Sequence, residues 1–294
     1  MPLVAKRRYA SAAFITLLIL SVLWPSPIVS SNRLWLNTSL DVDELSFLGR
    51  EAPQWDVVFW FFAGVLLLAI VQSAEASDLR EPLRQLRAFR IPRPLVVRSL
   101  AGLAIGAVLT ALVWLFLDQH VLAWAERVQS ETIQDVIRIA NRFGGGMNPV
   151  LIVGFFLIAG IAYATPRWID YALAMAIAGL GAGIVAQIIK HLVGRARPEL
   201  WLGPAHYAPG SSTSFPSGHT VGAFALAGVL VFGSRSWTLR IIALLLAIAV
   251  GMSRILAFRH WSSDVTASAV IGLTVAWLVI RGVTRLTADP APHP

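Results

Sequence analysis

Cysteine is absent from the 294-residue chain, which excludes disulfides and thiolate metal sites. Charge is scarce too. Only 14% of residues are Asp, Glu, Lys or Arg, against 56% hydrophobic, too little charge to cover a soluble domain of this length. Lysine is nearly missing: Lys6 and Lys190 are the only two, so Lys190 stands out within its own chain. The net charge of +8 raises nucleic acid as a partner. The arginines, however, sit mostly in short loops between apolar runs, where the positive-inside rule places them, and no nucleic-acid partner is expected.

What is present is a series of apolar runs near the length of about 20 residues that crosses a bilayer core. The sequence predicts an all-α, polytopic membrane helical bundle of about eight transmembrane helices. The runs cover about 10–29, 56–74, 99–117, 149–165, 170–189, 218–233, 239–257 and 265–281. The first follows Lys6, Arg7 and Arg8, but its length, Pro25 and Pro27, and the lack of an A-x-A site favour a retained helix over a cleaved leader. Residues 75–98 carry Arg80, Arg84, Arg87, Arg90, Arg93 and Arg98, a cytoplasmic loop by the same positive-inside argument. Gly102 and Gly106 form a G-x-x-x-G that would allow close helix contact. Residues 119–147 read as an amphipathic interfacial segment, with Val121, Trp124, Val128, Ile133, Val136, Ile137 and Ala140 at helical spacing. The expected organisation is 1–98 as two extra N-terminal helices and a basic loop, 99–282 as a six-helix core, and 283–294 as a disordered tail.

Three clusters carry the chemistry. Lys190 is followed after six residues by Arg197-Pro198; next comes Pro216-Ser217-Gly218-His219; last is Ser253-Arg254, five residues, His260, three residues and Asp264. Helix parity, with both termini cytoplasmic, puts 190–217 and 258–264 together on the opposite, outer face.

A phosphate ester is an anion with several acceptor oxygens. Arg offers a planar fork for two of them and Lys a point charge, so Lys190, Arg197 and Arg254 supply both kinds of donor. Ser217 and Gly218 fit a turn into a helix N-terminus, where backbone N–H groups and the dipole favour an anion. Transfer needs a nucleophile and an acid near neutral pH, which two histidines provide. Asp264, four residues after His260, is read as fixing its tautomer and stabilising its cation. His219, at a helix start, is the candidate acid. Arg195 and Arg259 are left as rim charges, and His191 and His206 as loop residues. A metal reading of His219, His260 and Asp264 competes poorly, because three cations would repel a divalent ion and carboxylates are few.

K-x6-R-P, P-S-G-H and S-R-x5-H-x3-D together resemble the three-part motif of the type-2 phosphatidic acid phosphatase family, which shares its site with vanadium-dependent haloperoxidases. All three parts stand without departure between Lys190 and Asp264. The resemblance implies a six-helix core and metal-free hydrolysis of phosphate esters with no cofactor. Lys190, Arg197, Ser217, Gly218 and Arg254 would bind the phosphate. His260 would become a phosphohistidine oriented by Asp264, and His219 would protonate the leaving group. The implied substrates are membrane lipid phosphates: polyprenyl diphosphate, phosphatidylglycerol phosphate, phosphatidate or a phosphorylated lipid A. A phosphotransferase on the same scaffold, or a phospholipid-binding transporter, are the rival readings. The implied location is a bacterial inner membrane, with the site on the periplasmic side.

Overall fold

The computed structural model describes residues 92–144, 148–163, 165–207 and 214–282. Among these residues all regular structure is helical, apart from one isolated antiparallel bridge between Arg195 and Tyr207. The helices are α1 (Arg93–Phe116), α2 (Asp118–Arg127), α3 (Glu131–Gly144), α4 (Asn148–Ala162), α5 (Pro166–Val193), α6 (Gly218–Gly233), α7 (Trp237–Leu256) and α8 (Ser262–Gly282). A 3-10 turn covers Pro198–Leu200. Four helices, α1, α5, α7 and α8, are long and apolar enough to cross a bilayer, and two shorter apolar ones lie at Pro149–Ile161 and Gly218–Gly233. These six coincide with the predicted runs from the third onward. The two N-terminal runs, the basic loop as far as residue 91 and the tail from 283 lie outside the described residues.

Two boundaries differ from the sequence reading. Helix α1 begins at Arg93 rather than near 99, with Pro92 as its N-cap and Pro94 in its first turn. Proline suits that position because the first amides lack helical acceptors anyway. The amphipathic segment is two helices. It breaks at Val128–Ser130, where Ser130 Oγ accepts from the Ile133 amide at 3.2 Å and starts α3.

The described chain falls into two compact units. One is 150–173, within which Phe155, Phe156, Trp168 and Tyr171 form a ring cluster. The other joins the part before 150 to the part after 173 and contains every motif residue.

In the second unit α6 is buried along most of its length and packs on α7 and α8. Small residues set that spacing. A Cβ on Gly272 of α8 would lie 2.6 Å from the Val221 carbonyl oxygen and 2.8 Å from the Ala225 nitrogen, so the two backbones meet directly, as small residues in membrane helices permit. Of the G-x-x-x-G pair on α1, Gly106 meets Val270 of α8, while Gly102 has nothing within 4 Å. Elsewhere α1 exposes Val97, Ile105, Val108 and Leu115, the composition of a lipid-facing surface. Helices α2 and α3 close one end of α7: Ala125 and Ile137 are buried against Ile255 and Leu256, and Gln129 Nε2 donates to the Leu256 carbonyl at 3.1 Å. That contact spares an orphan carbonyl at a helix C-terminus.

Candidate active site

The segments 194–207 and 214–217 meet the loop 257–261 at one end of the bundle. Their backbones are tied directly: the Ser214 amide donates to the Arg195 carbonyl at 2.7 Å and the Glu199 amide to the Phe258 carbonyl at 3.1 Å. Trp261 Nε1 donates to the Ala196 carbonyl at 2.8 Å. The two motif-bearing faces that helix parity placed together are therefore together.

The loops close around a buried ion cluster. Arg195 is 2% exposed, and its side chain joins two carboxylates that are fully buried. Nη1 donates to Asp264 Oδ1, and Nη2 to Asp118 Oδ2 at 2.7 Å. Its Nε donates to the Pro204 carbonyl at 2.9 Å, and Nη1 also reaches Ser263 Oγ. Asp118, at the start of α2, accepts the Ser263 amide at 2.8 Å and the Ser262 hydroxyl at 2.6 Å. Asp264 Oδ2 accepts the Trp261 amide at 2.9 Å and the Ser214 hydroxyl. Both carboxylates thus serve the N-terminus of α8, where amides lack helical acceptors and the dipole favours negative charge. Arg195, far from a rim charge, is the counter-ion of both. Neither it nor Asp118 was singled out by sequence reasoning. The one available signal was a lone carboxylate ending an apolar run.

His260 sits in the turn before α8, buried. Its Nδ1 lies 2.7 Å from the Ser214 carbonyl oxygen, against 3.8 Å from Asp264 Oδ2. The atom nearest Nδ1 is thus a backbone acceptor, with the Asp264 carboxylate farther off as a charge partner; α8 begins at Ser262, so His260 itself lies in the turn before the helix. Donation from Nδ1 fixes the tautomer that carries its lone pair on Nε2. Burial first, and then Arg254, Lys190 and Arg197, hold the His260 pKa well below its ordinary value.

Lys190, in the last turn of α5, and Arg254, in the last turn of α7, act electrostatically with Arg197 on His219 as they do on His260, and His260 acts on His219. Five of the eight predicted residues therefore share one local field. Asp264 is linked as described. Ser217 is the N-cap of α6 and Gly218 its first residue. The Ser217 amide donates to Ser268 Oγ at 2.8 Å, and that hydroxyl donates to the Asp264 carbonyl at 2.6 Å, which docks the α6 N-terminus onto α8. A Cβ on Gly218 would meet nothing within 4 Å, so the start of α6 faces open space. Arg197 keeps a buried Nε without a hydrogen-bond partner, a donor aimed for an acceptor the protein does not supply.

A lateral pocket of about 390 Å³ lies between α1, the end of α5 and α8, with Trp114, Tyr207, Arg195 and Ser263 in its lining. Lys190, Arg197, Arg254, His219 and His260 do not line it. Its walls are mainly apolar, and it lies behind the ion cluster.

Residues 167–288 match the family model of the PAP2 superfamily, and this stretch holds all three motifs. The chain is 38% identical over 104 residues to the lipid A 1-phosphatase of Rhizobium johnstonii, covering 33% of this chain and 40% of that protein. It is 40% identical over 111 residues to the lipid A 1-phosphatase of Porphyromonas gingivalis, covering 36% of this chain and 22% of that one. The matched region spans less than half the length of these curated relatives. Among solved structures, the transmembrane PAP2 type phosphatidylglycerolphosphate phosphatase from Bacillus subtilis shares the fold, with a TM-score of 0.51 at 20% identity over 62% of this chain and 93% of that one. The stretch that matches the superfamily model is the part of the chain that carries the three motifs.

Proposed function

We propose that this protein is an integral-membrane lipid phosphatase that removes a phosphoryl group from a lipid headgroup through a phosphohistidine. The observation that carries the reading is the common field: three cations act on both imidazoles, and Nδ1 of His260 is held by a backbone carbonyl 2.7 Å away. Lys190, Arg197, Arg254 and the first turn of α6 at Ser217 and Gly218 bind the phosphoryl oxygens and offset the charge that builds on them in transfer. His260 Nε2 attacks phosphorus. His219 gives its proton to the departing oxygen, then draws one from the water that cleaves the N–P bond. Asp264 acts on the imidazolium through its charge, from 3.8 Å away.

The substrate is a phosphomonoester or diphosphate lipid of the kinds that the relatives' names mention, lipid A among them. Helix count and arginine placement in the sequence support a reading with both termini in the cytoplasm of a bacterial inner membrane and the site at the periplasmic face. There a headgroup can approach sideways from the bilayer. No role is assigned to the two N-terminal runs.

The test is phosphate release by purified protein in detergent with EDTA, from polyprenyl diphosphate, phosphatidate, phosphatidylglycerol phosphate and lipid A. Release from at least one lipid, lost in His260→Ala and indifferent to EDTA, is the expected result. Undiminished release by His260→Ala would end this reading.

A further inference from the structure

Arg259 is the cation that the three motifs leave unassigned. It directly precedes His260. Its Nη1 lies 2.9 Å from Glu199 Oε1, and the same oxygen accepts from Arg197 Nη1 at 3.4 Å. Glu199 therefore sits between an arginine of the phosphate cluster and one outside it. Exposure rises outward along this series: 13% for the Arg197 side chain, 33% for Glu199 and 35% for Arg259. Of the three, Glu199 and Arg259 are the more exposed. Arg259 and Arg197 both act electrostatically on Arg254.

The backbone fixes both partners. The Arg259 amide donates to the Arg254 carbonyl at 3.1 Å, and the Glu199 amide to the Phe258 carbonyl at 3.1 Å. Trp201 and Phe258, the residues that turn the chain there, have φ of 55° and 56°, and their rings are 6.2 Å apart. Two bulky side chains in the left-handed region persist only where the surroundings hold them, and such positions cluster at ligand sites.

A half-open ion pair of this kind exchanges readily for a stronger anion. A carboxylate that bridges two arginines stands where a phosphoryl group, with more charge and more acceptor oxygens, would stand. We propose that Arg259 and Arg197, once Glu199 is displaced, form a second phosphoryl subsite at the mouth of the site, for the inner phosphoryl group of a diphosphate headgroup. The inference rests on the phosphatase reading above and names its substrate class.

The charges agree. Lys190, Arg197, Arg254 and Arg259 less Glu199 leave a net excess of three positive charges. A phosphomonoester brings about two negative charges at neutral pH, and a diphosphate brings one more. The chemistry agrees as well. When His260 Nε2 attacks the outer phosphorus, the N–P bond forms as the bridging P–O bond breaks. The electron pair goes to the bridging oxygen, which leaves as part of a lipid monophosphate. Arg259 then meets the charge developing on that leaving group. Water cleaves the N–P bond, releases inorganic phosphate and restores His260. A monophosphate ester leaves instead as an alcohol, which depends on the proton from His219 and makes no use of Arg259.

The test compares wild type, Arg259→Gln and Arg259→Lys in detergent. Calorimetry measures binding of inorganic phosphate and pyrophosphate; turnover is measured on a monophosphate and a diphosphate of one isoprenyl chain. Pyrophosphate is expected to bind wild type at least about 10-fold more tightly than phosphate, and Arg259→Gln to cut that preference to within about 2-fold while phosphate affinity holds. Arg259→Lys recovers part of it. No preference in wild type, an unchanged preference in Arg259→Gln, or a parallel loss for both anions overturns the subsite. Calorimetry needs no turnover. Absence of phosphate release from either lipid would therefore count against the phosphatase reading and leave the subsite to be decided by binding. Where turnover occurs, Arg259→Gln should lower kcat/KM for the diphosphate about 10-fold more than for the monophosphate, and an equal loss on the two would count against the subsite.

Discussion

Nη2 of Arg195 lies 2.7 Å from Oδ2 of Asp118, joining residues 77 positions apart in the chain. Asp118 opens α2, and Arg195 belongs to the loop that carries Arg197. The pair therefore locks the amphipathic helices to the site, and through Asp264 to the start of α8. Arg195 is the counter-ion of two fully buried carboxylates. Arg195→Ala would strand both, and removing one partner of a buried pair costs about 3–5 kcal/mol. The expected result is a marked loss of stability in detergent, read by thermal or denaturant unfolding. Combining it with Asp118→Ala relieves one stranded charge, so the double variant should be more stable than the two single losses sum to, with a coupling of about 0.5–3 kcal/mol. Simple additivity would contradict the role given to the pair.

Asp264 and Ser214 separate two ways of steering His260. The ring is held by the Ser214 backbone carbonyl, which Ser214→Ala retains, so that variant should keep kcat within about 10-fold. Asp264→Asn turns an acceptor of the Trp261 amide and Ser214 hydroxyl into a group that is half donor, and removes the negative charge nearest the imidazolium. Its kcat should fall by about 10³-fold, somewhat less than for a carboxylate bonded directly to the ring. Equal damage from the two substitutions would mean that the hydroxyl itself relays the effect.

What could be read from sequence and what could not divides along distance in the chain. Lys190, Arg197, Ser217, His219, Arg254 and His260 announce themselves because each cluster is short and internally spaced, and the six apolar runs from residue 99 onward reappear as helices because hydrophobicity over about 20 residues is a local property. Arg195 and Asp118 could not be paired, since nothing within a few residues of either marks a partner so remote. The same holds for Glu199 and Arg259, 60 positions apart. The His260–Asp264 pair does come together, at 3.8 Å, but the nearer acceptor of Nδ1, the Ser214 carbonyl, lies 46 positions away and left no mark in the local sequence. The break at Val128–Ser130 was legible in principle, as Ser130 followed by the acidic Glu131 is an N-terminal signal.

The pH dependence follows from His260. Burial, then Arg254, Lys190 and Arg197, hold its pKa well below the ordinary 6.5, so the free enzyme carries a neutral, nucleophilic ring throughout the neutral range. The acid limb of kcat/KM should lie clearly below pH 6.5, where the ring takes up its proton and the lone pair is lost. Stability moves the same way. Below about pH 6.5 an unfolded imidazole binds a proton that the folded one still refuses, so the folded state loses ground as pH falls through that window. A pH–rate profile on the preferred lipid, with unfolding measured in the same buffers, checks both. An acid limb centred at or above pH 6.5 would contradict the electrostatic picture.

The approach of α6 to α8 supplies a test remote from any charge. Gly272 faces the backbone of α6, where an added Cβ would lie 2.6 Å from the Val221 carbonyl oxygen and 2.8 Å from the Ala225 nitrogen. Backbone atoms cannot rotate aside as a flexible side chain does, so α6 must move. Gly272→Val forces that movement, and overpacking of this kind costs about 1–3 kcal/mol. Because α6 carries Ser217, Gly218 and His219 at its head, while the cations sit on α5, α7 and the loops, the displacement reaches the site as a misplaced helix start. Activity should fall by about 10-fold or more even where the protein remains folded, since small errors in position are costly in transfer chemistry. Gly102→Val on α1, with nothing within 4 Å, is the matched control and should leave both stability and turnover near wild type. Equal sensitivity at the two glycines would show that the α6–α8 contact does not set the geometry of the site.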